Sequence, residues 1–292
     1  LQTRNVLKVI EPQTTSDGAG VRLKRSIGTR TLDYLDPFLL FDHFGSDAPE
    51  DYIAGFPMHP HRGIETVTYM ISGAVDHRDS IGNAGTIEGG DIQWMTAGGG
   101  IMHEEMPHRS DGVMEGFQLW VNLPARLKMT TPRYQNVPSD QIPEIETEGA
   151  VRTRIIAGTV NGVRGAVSEI AADPSYLDVS MPAGTSFEQP VERGHSVFAY
   201  VFDGAARFGT DENQTGHNVP ATRLVVFKDG DVVRVETDDK PVRFLLVSGK
   251  PLEEPMARYG PFVMNTEEEI YHTIQEIRSG NFPAPVVPDE TR

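Results

Sequence analysis

Apolar and β-branched residues in this chain come in short runs of about five to eight, broken repeatedly by Gly, Pro, Asp or Asn from end to end. Runs this short cannot sustain long amphipathic helices, and strands this short need many partners to bury a face. The pattern therefore predicts a mainly β protein, built as a sandwich or barrel of many antiparallel strands. In the first half the best strand candidates are 64–71, 91–96 and 116–122; in the second they are 176–181, 196–202, 223–227, 231–236 and 242–247. The 29 Gly and 21 Pro among 292 residues amount to about 17%, short of the ~25–30% of low-complexity chains. A folded chain of about two domains follows from the length.

The prolines at 124, 132, 138 and 143 divide the chain into 1–123, a connection over 124–150, and 151–292. One helix stands out near the end. Ile270, Ile274 and Ile277 share a face, Thr266 with Glu269 forms a capping box, and Gly280 closes it. The last dozen residues, NFPAPVVPDETR, read as an extended tail. Tyr69 to Gly73 is echoed by Tyr200 to Gly204, and Gly90-Asp91 by Gly230-Asp231, which suggests a duplicated β domain.

Cysteine is absent, so any metal must be held by nitrogen and oxygen. The net charge of −16 opposes direct binding to nucleic acid, which relies on Lys and Arg against phosphate. No apolar run is long enough to span a membrane, and the opening LQTRNVLKVIEPQ lacks a secretory signal pattern. A monomer in the cytoplasm, or the nucleus in a eukaryote, is expected.

The chemistry concentrates in Phe56-Pro-Met-His59-Pro-His61 and in His103-Glu104-Glu105. Residues two apart in an extended chain project from one face, and each proline favours an extended residue before it. His59 and His61 are thus presented side by side, as are His103 and Glu105. Three imidazoles and a carboxylate suit a first-row transition metal and leave open positions for small molecules. Trp94, Phe56 and several methionines are candidates to line a pocket for a flat aromatic ligand, Asp42 and Gln118 to orient the imidazoles. His43, His77, His108, His195, His217 and His272 lack a paired ligand pattern and read as surface residues.

These blocks resemble the cupins. The first cupin motif corresponds to His59-Pro-His61, Glu65 and Gly73, with shorter spacing before His59 and longer spacing before Gly73; the second runs from Gly90-Asp91 to His103. The departures are shared by the pirin family. The sequence also resembles pirins in Arg25-Ser-Ile-Gly28, Asp36-Pro-Phe-Leu-Leu-Phe-Asp42, Gln93-Trp-Met-Thr-Ala-Gly98, Gln118-Leu-Trp-Val-Asn122 and Gly260-Pro-Phe-Val-Met-Asn-Thr266.

The resemblance implies a bicupin, two antiparallel β-barrels with a C-terminal helix. It also implies one divalent metal per chain, usually Fe(II) with Mn, Ni, Cu, Co or Zn as alternatives, bound by His59, His61, His103 and Glu105. Glu65 then stands beside the metal rather than on it. Quercetin 2,3-dioxygenase activity is implied, with a flavonol and dioxygen as substrates, Glu105 as the general base and Glu65 in reserve. The competing implication is an iron-dependent redox-sensing co-regulator with a protein partner, for which Arg22, Lys24, Arg25 and Arg30 form a local basic patch. Counting back from Gly204 as from Gly73 reaches Ser196, Glu192 and Pro190 where the first half has Glu65, His61 and His59. The second barrel is therefore expected to hold no metal.

Overall fold

The computed structural model describes residues 1–109, 112–210 and 216–283; the predicted tail beyond Pro283 lies outside them. Its contacts divide into two compact units. One comprises Leu1–Gln13, Arg25–Phe38 and Ser139–Pro251; the other comprises Thr14–Lys24, Leu39–Pro138 and Leu252–Arg292. A division by chain order into 1–123 and 151–292 differs from this grouping, because each unit includes one end of the chain.

The second unit carries the histidine pairs. Its larger sheet runs in the order Arg133–Val137, Ile92–Thr96, Ile64–Ser72, Met114–Asn122, Phe38–Ser46, Val21–Ile27, Gln13–Asp17. Its smaller sheet runs Phe56–His61, Ile101–Pro107, Ala74–Asp79, Ala84–Glu88. Cores of Val21, Leu23, Phe44, Met70, Val75 and Met114, and of Leu39, Ile64, Met95, Ala97, Ile101 and Val263, hold this barrel together.

In the other unit a ten-stranded sheet is built around Ser196–Phe208, which pairs with Arg223–Phe227 and Val242–Gly249. Its interior is filled by Phe187, Phe208, Phe227 and Phe244 among aliphatic residues. The stretch 124–150 is more than a connection. Arg133–Val137 pairs with Ile92–Thr96, and Glu144–Thr147 pairs with Val151–Ala157, so its prolines punctuate two edge strands.

The helix Glu267–Arg278 has the predicted capping box, with Thr266 and Glu269 each bonding the other's backbone N–H. Its buried face is Ile270 and Thr273, whereas Ile277 is 39% exposed. It packs on a hairpin formed by Ala257–Tyr259 and Phe262–Met264.

Candidate metal centre

Phe56–His61 and Ile101–Pro107 pair antiparallel, with His103 opposite His59 and Ile101 opposite His61. The alternation of the strand and this register bring the three rings together, with centroids 4.4–5.0 Å apart. One ring nitrogen from each of the three lies within 4.8 Å of the other two. Trp120 meets the His61 ring edge-on at 5.1 Å.

The donor set fits a cation. His59 Nδ1–H donates to the Pro57 carbonyl at 2.9 Å, which leaves the lone pair on Nε2, and that atom lies 3.1 Å from His61 Nε2. Two such nitrogens are about 3 Å apart when both bind one metal at about 2.1 Å. Both nitrogens of His103 are buried with no hydrogen-bond partner among the described residues, a costly arrangement in the absence of a ligand. Burial first, then neighbouring histidines, holds His61 and His103 well below the usual imidazole range. Both are therefore neutral, the form that binds metal.

The close cluster consists of the three imidazoles. Glu105, 6% exposed, stands beside His59, with the Thr68 hydroxyl 2.9 Å from its Oε1. Burial raises the Glu105 carboxyl, and the nearby His59 lowers it by less. Thr68 Oγ1 also lies 2.9 Å from Gln118 Oε1 as placed. One hydroxyl carries one hydrogen, so with Thr68 donating to the carboxylate, Gln118 must turn its amide NH₂ toward Thr68.

Glu65 is elsewhere. In Ile64–Ser72, Thr66 and Thr68 pair with Trp120 and Gln118 on the face of the cluster, and Glu65 lies on the opposite face with Val67. There it accepts a hydrogen bond from Thr96 Oγ1 at 2.8 Å and is 1% exposed. The reserve base proposed from sequence is thus corrected to a buried partner of Thr96. Trp94 pairs with Val67 on that same far face and is core rather than pocket. Trp120 is the tryptophan at the site, and the pairing Thr66–Trp120 is the signal that sequence reading lacked. Phe56 does approach His59, at 6.4 Å between centroids, and Asp42 is buried.

Two surface assignments also fail, those of His43 and His77. His43 is buried and bonds Glu115 at 2.8 Å; His77 is buried and stacked on Tyr134. His195 has a side chain only 9% exposed, next to Glu192, whereas His108, His217 and His272 are open to solvent. In the basic patch, Arg22 is paired with Asp51.

A three-histidine cluster on paired strands of one barrel, with a second barrel following, defines a cupin of the two-barrel type. Residues 20–121 match the family model Pirin, and residues 176–283 match the Pirin C-terminal cupin domain. The chain belongs to the pirin family. It is 46% identical to a pirin-like protein of Caulobacter vibrioides over 97% of this chain and all of that one. It is 42% identical to human pirin over 90% of this chain and 89% of that one. A solved Acinetobacter baumannii structure named quercetin 2,3-dioxygenase superposes with a TM-score of 0.86 at 33% identity, covering 96% of this chain and 99% of that one.

Proposed function

We propose that this chain is a metal-dependent dioxygenase that opens the central ring of a flavonol such as quercetin. One divalent transition metal, Fe(II) by preference, would be held by His59, His61, His103 and Glu105. The observation that carries this reading is the convergence of three imidazoles, with unanswered nitrogens on His103, beside one buried carboxylate. The relation to the Acinetobacter protein supports the choice of substrate. A bound metal supplies Lewis acidity toward the flavonol 3-oxygen and a position for dioxygen.

The protein's own part is proton handling and positioning. Burial raises the Glu105 carboxyl, which makes its carboxylate a stronger base for the 3-hydroxyl proton. Thr68 donates to Oε1 and so fixes the orientation of the carboxylate. Trp120 and Tyr134 are partly buried against the Leu39–Ile64–Met95 core, Trp120 with its ring against His61 and Tyr134 with its ring against His77.

The test is aerobic incubation of quercetin with protein loaded anaerobically with Fe(II). Quercetin should disappear with matching consumption of dioxygen and release of carbon monoxide. Metal-loaded protein that leaves quercetin intact, with iron and with Mn, Ni, Cu, Co or Zn, would overturn the reading.

A further inference from the structure

Arg62, the residue after His61, is 2% exposed. A buried guanidinium is tolerated only where its N–H groups are answered. Its Nε donates to the Gly99 carbonyl at 2.8 Å, one terminal nitrogen to Thr273 Oγ1 at 2.9 Å, and the other to Glu276 Oε2 at 2.5 Å. Phe282 covers the guanidinium at 4.8 Å. Its backbone is fixed as well, with Arg62 N–H donating to the Pro261 carbonyl and Val263 N–H donating to the Arg62 carbonyl.

These partners come from three places. Arg62 continues the strand that carries His59 and His61. Gly99 lies two residues before the start of the strand Ile101–Pro107, which carries His103 and Glu105. Thr273 and Glu276 lie one turn apart on the C-terminal helix. Threonine is a mediocre residue for a helix interior, yet Thr273 is wholly buried, accepting from Arg62 and donating to the Glu269 carbonyl. Its hydroxyl is what that position requires.

We propose that Arg62, clamped by Thr273 and Glu276, is a positioning residue that couples the C-terminal helix to the His59–His61–His103 cluster. The proposal rests on the cluster being a metal site. It assigns the helix a role in metal retention from more than 200 residues away in sequence. Coupling of this kind is reciprocal: what loosens the helix loosens the metal, and metal tightens the helix.

The experiment uses the full chain loaded with Ni²⁺. Transfer of Ni²⁺ to a chelator is timed in the wild type, in Glu276→Gln, in Thr273→Val, and in Glu268→Gln as a control on the exposed side of the same helix. Amide hydrogen exchange of residues 270–278 is followed with and without Ni²⁺. Release should quicken about tenfold in Glu276→Gln and Thr273→Val and stay unchanged in Glu268→Gln. Wild-type helix amides should exchange more slowly once Ni²⁺ is bound, a response that a purely structural clamp would not give and that needs no variant to fold. Wild-type release rates in folded Glu276→Gln and Thr273→Val, or helix exchange indifferent to Ni²⁺, would overturn the coupling alone. A wild type that takes up no Ni²⁺ or other divalent metal would overturn the metal reading, and the coupling with it.

Discussion

The His61 ring meets His59, His103 and Trp120, while the backbone ladder and the apolar cores around it are independent of that ring. His61→Ala should therefore release metal at least tenfold more readily and keep a native circular dichroism spectrum; unchanged metal content after desalting would remove His61 from the site. Glu105→Gln should lose turnover more than metal, because an amide still offers an oxygen but is a poor acceptor for the substrate proton. Equal losses would make Glu105 a ligand only.

Lys128 is a different kind of buried charge. Its Nζ lies 2.9, 2.5 and 2.7 Å from oxygens of Gly63, Asn122 and Val263, three acceptors for the three hydrogens of an ammonium. Burial nevertheless pulls its pKa from 10.5 down to about 7. Between those values the unfolded chain binds more protons than the folded one, so the stability due to Lys128 rises with pH across that window. The difference in unfolding free energy between wild type and Lys128→Met should grow from pH 7 to 10. A flat difference would mean that the three acceptors keep the ammonium form.

Residue by residue, the imidazoles were legible because residues two apart in a strand need no knowledge of partners. Glu65 was misplaced because only three residues separate it from His61, and the parity of Ile64–Ser72 turns it away. Arg62, Thr68, Trp120 and Lys128 were missed because their roles come from segments distant in sequence.

At the scale of elements, the turn between Phe56–His61 and Ile64–Ser72 is fixed by Gly63, at φ +78°, where a Cβ would collide with the Val263 carbonyl. Gly63→Ala should cost at least about 2 kcal/mol, from left-handed strain plus that collision, measurable by urea unfolding. Thr266→Ala removes one half of the capping box and should cost about 1 kcal/mol. Strands such as Arg223–Phe227 and Ile64–Ser72 were readable because their composition and flanking turns agree with their tertiary role. The edge strands Arg133–Val137 and Glu144–Thr147 were not, because their side chains are polar or half exposed and only pairing makes them strands.

For the whole molecule, the two barrels diverge in what fills them. Where one presents imidazoles, the other is packed with Phe187, Phe208 and Phe244 among valines and leucines. Among the described residues a second group, Asp173, Glu192 and His195, has donor atoms within reach of one another. It lacks the features of the first. Asp173 and Glu192 are exposed, His195 Nε2 is 3.6 Å from the Glu192 carboxylate, and the buried Arg4 donates to the carbonyls of both Glu192 and His195. A fixed guanidinium at 2.6 and 3.0 Å from those carbonyls opposes a second cation there. Exposed carboxylates also keep their water at little cost, whereas the buried nitrogens of His103 do not have that option. Metal analysis of protein loaded with excess Fe(II) or Ni²⁺ and then desalted should give close to one ion per chain, and His195→Ala should leave that ratio unchanged. A ratio near two that falls to one in His195→Ala would give the second barrel a metal site of its own.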